Sequence, residues 1–157
     1  MTPQGAIRDW RQRWERIKTE AEELNKPQRI LMSGEAIKAA RDRLLSFFVL
    51  AYHLKDALKE ESRIGDEIVE RAITHDLDFS LLADLANLDK HGRLRKSPRS
   101  GVVPTIGAAS GVQDGAGQDG WKLSMMIHHG PRTRDGLTFA SSVLEAWRRH
   151  LSGWGLL

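Results

Sequence analysis

The chain has 157 residues, with 24 Lys and Arg, 21 Asp and Glu, and a formal net charge of +3. That length suits a single domain over residues 1–157, and the absence of cysteine excludes disulfides and thiolate metal sites. No apolar run is long enough to cross a bilayer, and the first residues, MTPQGAIRDW, lack the apolar core of a secretory signal, so we expect a cytoplasmic protein that does not enter the membrane.

Two long helices open the predicted fold. In the first, at about residues 4–25, apolar residues alternate three and four apart, which is the spacing of one buried helix face. The second follows Ser33, a suitable N-cap, and keeps the same spacing to Leu58. Because a short connector joins them, we expect the two apolar faces to pack antiparallel. The apolar positions are Ile7, Trp10, Trp14, Ile17, Ala21 and Leu24, followed by Ile37, Ala40, Leu44, Phe47, Ala51, Leu54 and Leu58.

Three further helices are predicted downstream. A short one covers about residues 64–74, and another runs from Ser80 to His91, where Gly92 suits a left-handed C-cap. The last runs from about 136 to 151 and is capped by Asp135. Together with the first two helices, these predict a helical bundle.

A change of period separates the bundle from its last helix. Residues 121–128 alternate apolar and polar side chains, and this period of two predicts a strand. Residues 102–106 are its expected partner, in a hairpin at about 101–128. The predicted fold class is therefore mainly α, a helical bundle led by two long antiparallel helices, with a small β-hairpin before the last helix and a loose tail at about 152–157.

Five polar residues on two of these helices could do chemistry. Asp84, Asn87 and His91 are three and then four residues apart, so they share one helix face. His53 and Asp56 are three apart on the second helix. If the two helices touch, His53, Asp56, Asn87 and His91 could meet in one polar pocket, and we take them as candidate catalytic residues.

The alternative interpretation of these residues is structural. His53 would then be a histidine at the margin of the core, held by Asp56. His91, together with Lys90, would complement the negative C-terminal end of its helix.

The charge along the chain changes sign at His91. Residues 63–90 carry three basic against seven acidic residues, whereas residues 91–134 carry seven basic against two acidic. A loop that binds RNA phosphates needs such a cluster of cations, although a solvated basic loop has the same composition. The candidate RNA-binding residues are Arg93, Arg95, Lys96 and Arg99.

A metal site is a third possibility. The residues that could supply nitrogen and oxygen ligands for zinc are His53, Asp56, His91, His128 and His129. They follow no recognised ligand spacing, so we predict neither a metal nor a cofactor. His128 and His129 more simply end a strand before a turn at Gly130.

The order of elements resembles the HEPN superfamily, the all-α domains of many prokaryotic toxins and RNA-cleaving effectors. The resemblance lies in a long helix containing FFVLAYHLKDAL, a helix ending LANLDKHG and a basic loop after it. It covers about residues 4–92 and the final helix. The family's ribonucleases carry an arginine, commonly followed by a polar residue such as asparagine, and a histidine several residues later. Asn87 and His91 match the second and last members of that motif, and Ala86 stands at the arginine position.

The resemblance implies metal-independent attack of an RNA 2′-hydroxyl on its neighbouring phosphate, with two motif histidines brought together across a homodimer. It also implies a toxin or phage-defence setting, with an antitoxin or another protein as partner. His91 would transfer the proton, Asn87 would orient it or the substrate, and Lys90 or Arg93 would contact the phosphate in place of the arginine that Ala86 replaces. Two functions stay open: an endoribonuclease, and an RNA- or protein-binding module that does not cut.

Overall fold

The computed structural model describes residues 9–26, 34–91, 98–113 and 121–157, and of residues 89–91, 108–113 and 121–124 it describes the backbone alone. Within these ranges, helix predominates and a small antiparallel sheet precedes the last helix, which confirms the predicted mainly α fold class. No helix in the described ranges combines the length and apolar character needed to cross a membrane. The elements are α1 Trp10–Asn25, α2 Gly34–Tyr52, α3 Leu54–Glu61, α4 Asp66–His75, α5 Leu77–His91, β1 Thr105–Gln113, β2 Trp121–His129, β3 Arg132–Asp135 and α6 Gly136–Gly153.

The predicted second helix is interrupted at His53, which separates α2 from α3. At this residue ψ is −4°, and the N–H of Asp56 bonds the His53 carbonyl oxygen at 3.1 Å, three residues back rather than four. The apolar spacing could not reveal the interruption, because Ala51 and Leu54 on its two sides are both fully buried. The prediction of one continuous helix was therefore wrong.

The core lies where α1, α2, α5 and α6 meet. Trp10 and Trp14 are buried, as their positions on a helical apolar face predicted, and Trp147 of α6 is buried as well. The Trp147 ring lies 4.4 Å from the Phe79 ring between centroids, and its indole N–H donates to the Ala51 carbonyl oxygen at 3.0 Å. This hydrogen bond joins α6 to the last turn of α2, where a helix leaves carbonyl groups without intrahelical partners.

The hairpin is the first two strands of a three-stranded antiparallel sheet, in the order β1-β2-β3. The predicted antiparallel pairing of two strands is confirmed, with Thr105 opposite His128, but the partner strand is Thr105–Gln113 rather than residues 102–106. The third strand was not predicted, because Arg132–Asp135 is short and mostly polar. It follows the turn at Gly130, whose φ of 62° suits glycine.

The C-terminal tail is ordered by a glycine cap, contrary to the predicted loose end. Gly155 has a φ of 73°, and its N–H donates to the Ser152 carbonyl oxygen at 3.0 Å. The N–H of Leu156 donates to the Leu151 carbonyl oxygen at 2.9 Å. This pair of hydrogen bonds is the Schellman motif, which commonly brings an apolar contact with it. Here the side chains of Trp154 and Leu156 pack against the core.

The start of α6 lies against α2 and β2, and a substitution at Gly136 tests this close approach. A Cβ at this position would lie 2.6 Å from Cδ2 of Leu44 and 2.9 Å from the carbonyl oxygen of Met125. Because that overlap involves backbone, we expect Gly136→Ala to lower the free energy of unfolding by about 1–3 kcal/mol in urea denaturation.

Gly153→Ala is the matched control in the same helix. A Cβ at Gly153 would meet no atom within 4 Å, so stability should be unchanged or slightly raised. Equal stability of the Gly136→Ala and Gly153→Ala variants would contradict the described packing of α6.

Candidate functional site

His53 and Asp56 form a hydrogen-bonded pair at the junction of α2 and α3. The Nδ1–H of His53 donates to Oδ2 of Asp56 at 2.8 Å. Burial alone would raise the pKa of Asp56, but the hydrogen bond from His53 and the charge of Lys55 outweigh it and lower that pKa. An ionised carboxylate therefore holds the imidazole, and Nε2 of His53 has no hydrogen-bond partner among the described residues.

His53 lines an open groove of about 390 Å³ between α1 and α2. The residues lining it are Arg13, Ser46, Val49, Leu50 and His53. Arg13 comes from α1 and brings a guanidinium to the same groove as the imidazole. An imidazole that a carboxylate orients beside a groove can take up or release a proton, which is what a general acid or base must do.

A network of ion pairs connects Asp56 to α4 and to the segment that follows α5. Nζ of Lys55 lies 3.2 Å from Oδ1 of Asp56 and 3.4 Å from Oε1 of Glu70. Lys59 also pairs with Glu70, and Nη1 of Arg99 lies 3.3 Å from Oε2 of Glu70. Burial would raise the pKa of Glu70, but the hydrogen bond from Lys59 and the charges of Lys55, Lys59 and Arg99 together lower it to about 2.

Asp84 anchors the segment after α5 to the helix itself. Its side chain is only 2% exposed, and its carboxylate accepts hydrogen bonds from the backbone N–H groups of Arg99 at 2.8 Å and Ser100 at 3.0 Å. The Ser100 hydroxyl bonds the same carboxylate and lies 2.9 Å from Nε2 of His129. The α5 face predicted from the spacing of Asp84 and Asn87 therefore carries a fixed loop anchor linked to β2.

The remaining candidate catalytic residues lie on or beyond the end of α5. Asn87 is half-buried, one turn after Asp84. Lys90 and His91 belong to α5, but their side chains lie outside the described residues, as do Gly92, Arg93, Arg95 and Lys96 entirely. The structure thus brings His53 and Asp56 together, while the four-residue pocket with Asn87 and His91 stays a prediction.

Arg99 is the one predicted RNA-binding residue within the described ranges, and it already has protein partners. Its guanidinium lies 3.3 Å from both Oε2 of Glu70 and Oγ1 of Thr74. Glu70 neutralises much of its charge, so a contact between Arg99 and a phosphate, which stays a prediction, would compete with this ion pair.

Ala86, which the HEPN resemblance aligns with the motif arginine, faces the core. Ala86 is 3% exposed and belongs to the apolar cluster around α2, α5 and α6. An arginine here would bring a charge to this apolar cluster, which is unfavourable unless the charge is paired. If this helix end contacts a phosphate, the cation therefore comes from another position.

Sequence reasoning missed a second histidine–carboxylate pair. Nε2 of His150 on α6 lies 2.9 Å from Oδ2 of Asp76, which also lies 3.0 Å from Nη2 of Arg149. The two members of the pair are 74 residues apart in the sequence, so no local spacing signalled it. A histidine near the end of the last helix was the sole indication.

The histidines at the end of β2 contact their own sheet and its neighbouring loop. His129 bonds Ser100, and Nδ1 of His128 lies 3.3 Å from Oγ1 of Thr133 on β3. Among the residues with described side chains, no three His, Asp or Glu residues lie close enough together to hold a metal ion. β2 ends at His129, as predicted.

No family model matches this chain, and neither a curated protein nor a solved structure matches it. The HEPN resemblance therefore stays a prediction.

The ion pairs of Glu70 predict how stability depends on pH. Its pKa is about 2 in the folded protein and 4.5 ordinarily, so its stabilising contribution is complete above about pH 4.5 and is lost as the pH falls towards 2. We expect Glu70→Gln to be less stable than the parent at pH 7 and to lose less stability between pH 5 and about 2, as measured by urea unfolding at each pH.

Glu60→Gln is the control for this experiment, because Glu60 is exposed and makes no ion pair within the described ranges. It should follow the parent curve. If Glu70→Gln follows that curve as well, the ion pairs that join Glu70 of α4 to α3 and to Arg99 do not stabilise the fold.

Proposed function

We propose that this chain is a HEPN-like domain that associates with RNA through residues of the α2–α3 junction and of the end of α5. The observation that carries the proposal is the His53–Asp56 pair, because a carboxylate-held imidazole beside a groove is equipped to move a proton. The basic residues that follow His91 supply the charge that an RNA backbone requires.

The reaction that suits these residues is transesterification of RNA. The 2′-oxygen of a ribose attacks the adjacent phosphorus, the bond from phosphorus to the 5′-oxygen breaks, and a 2′,3′-cyclic phosphate and a 5′-hydroxyl remain. One group must take the 2′-hydroxyl proton and another must protonate the leaving oxygen. His53, held by Asp56, and His91 are proposed for these two roles, with Asn87 orienting the substrate.

The proposed cation for the phosphate is Lys90 or Arg93, since Ala86 is buried. The alternative to His53 in the second role is the His91 of a partner subunit: in a homodimer, one copy of His91 would take a proton and the other would return one. The proposal places the protein in the cytoplasm as a toxin or phage-defence effector, with an antitoxin or another protein as partner.

The second candidate function is a HEPN-like module that binds RNA or a protein without cutting. The burial of Ala86 favours it, because the group that would stabilise charge on the scissile phosphate is missing from the family position and cannot be supplied there. The two candidates differ in one observable, the cleavage of RNA.

Cleavage of single-stranded RNA in the presence of a chelator separates the two candidates. The enzyme should leave 2′,3′-cyclic ends, and His91→Ala and His53→Ala should each slow cleavage by about 10²–10⁴-fold, because each removes a proton-transfer group. His128→Ala is the matched control, since His128 is an exposed histidine on β2, and it should cut at the parent rate. Unchanged melting midpoints would verify that the variants fold.

Each other outcome of that assay has a meaning. RNA retained but uncut supports the non-cutting module. A parent protein that neither cuts nor binds RNA overturns the proposed association with RNA. Cleavage that survives in His53→Ala assigns His53 to the structural role of holding the α2–α3 junction.

The basic segment is tested by the salt dependence of RNA binding. Arg93→Ala, Arg95→Ala and Lys96→Ala combined should reduce the slope of log affinity against log salt by about 0.7 for each phosphate contact removed. Arg99→Ala is measured separately, because it also breaks the ion pair with Glu70. If the triple variant binds RNA with the parent affinity and slope in gel-shift titrations, the segment does not contact the backbone.

A further inference from the structure

A second groove lies between α4 and α6, and it shares no residue with the groove at His53. Its volume is about 550 Å³, which is within the range of small-molecule sites. The residues that line it are Ile68, Arg71, Ala72, His75, Asp76, His150 and Trp154. The set combines apolar, aromatic and cationic side chains, and the proposed RNA surface uses none of them.

Trp154 gives the groove an aromatic wall that the cap of α6 holds in place. The indole is half-buried and packs against the core, directly before the Schellman turn at Gly155. Its ring lies 5.4 Å from the ring of His150, which in turn stacks on Phe79 at 5.1 Å and 28°. A preformed indole at the edge of a groove is a surface on which a planar ring can stack at little entropic cost.

Arg71 and His75 line the groove from α4. They are one helical turn apart and exposed, and neither side chain makes a hydrogen bond or ion pair with a residue that the structure describes. Two neighbouring donors, one of them always charged, suit an oxyanion such as a phosphate group.

Asp76 is the one carboxylate among the lining residues, and donors already surround it. His150 and Arg149 bond one oxygen, and the backbone N–H groups of Asp78 and Phe79 lie 3.0 and 3.4 Å from the other. Burial would raise the pKa of Asp76, but these hydrogen bonds, led by that from His150, lower it. Arg149 balances this negative charge, so the charge of Arg71 stays available to a ligand.

We propose that this groove binds a nucleotide, with the base stacked on Trp154 and the phosphate held by Arg71 and His75. An apolar ligand would leave the charge of Arg71 unused, and a bare phosphate would leave the indole, Ile68 and Ala72 without contacts. The nucleotide is either a free monophosphate or one unit of single-stranded RNA, and only the second source rests on the proposed function.

Titration calorimetry with two probes, adenosine monophosphate and a single-stranded oligoadenylate, tests the proposal and distinguishes the sources. Both probes should bind the parent if the groove takes free nucleotides, and the oligonucleotide alone should bind if it takes RNA. Arg71→Gln should weaken binding at least about tenfold through the lost charged hydrogen bond, and Trp154→Ala about 5- to 150-fold through lost stacking. Trp154→Phe, which keeps a ring and the packing, should fall between Trp154→Ala and the parent.

Arg148→Gln is the matched control, because Arg148 is an exposed arginine of α6 that pairs with Glu145 and does not line the groove. It should bind both probes as the parent does. Failure of the parent to bind either probe overturns the inference, as does an affinity that Arg71→Gln and Trp154→Phe leave unchanged. In one outcome, the triple variant of the basic segment loses oligonucleotide binding and Arg71→Gln keeps it. That outcome overturns this inference while the proposed function stands. Binding of the monophosphate alone supports the groove as a nucleotide site and excludes RNA as its ligand.

Discussion

The hydrogen bond from the Trp147 indole to the Ala51 carbonyl oxygen is the contact on which the proposed site depends most. It is buried and joins residues 96 positions apart. The last turn of a helix leaves carbonyl groups unpaired, and a buried one without a partner costs about 1–3 kcal/mol. By supplying the donor, α6 stabilises the end of α2 two residues before His53. The position of His53 relative to the core is therefore tied to the last element of the chain.

Three carboxylates join elements that the apolar core alone would leave loosely related. Glu70 ties α4 to α3 and to Arg99, Asp84 ties α5 to residues 99 and 100, and Asp76 ties the α4–α5 junction to α6. A partly or fully buried carboxylate is costly unless donors surround it. Each of the three consequently recruits donors from a distant part of the chain, and the contacts of Asp76 fix the α4–α5 junction beside the second groove.

The two histidine–carboxylate pairs differ in the nitrogen that the carboxylate holds and in their surroundings. Asp56 holds Nδ1 of His53 beside a groove that also contains Arg13, an arrangement suited to proton transfer. Asp76 holds Nε2 of His150, whose ring lies between Phe79 and Trp154, an arrangement suited to binding a planar ligand nearby. The two proposals therefore rest on two different surfaces, the proton transfer on the first and the nucleotide binding on the second.

The sequence by itself determined the mainly α class, the burial of Trp10 and Trp14, the presence of a hairpin and the contact between His53 and Asp56. All of these follow from spacings of two, three or four residues, which the local geometry of a strand or helix converts directly into a shared face. Tertiary structure alone decided the interruption at His53, the third strand, the packed tail, the burial of Ala86 and the partners of Glu70, Asp84 and Asp76. For the three carboxylates the cause is physical, because a buried polar group is satisfied by whichever donor the fold brings near. For Asp76 that donor lies 74 residues away, beyond the reach of any periodic pattern.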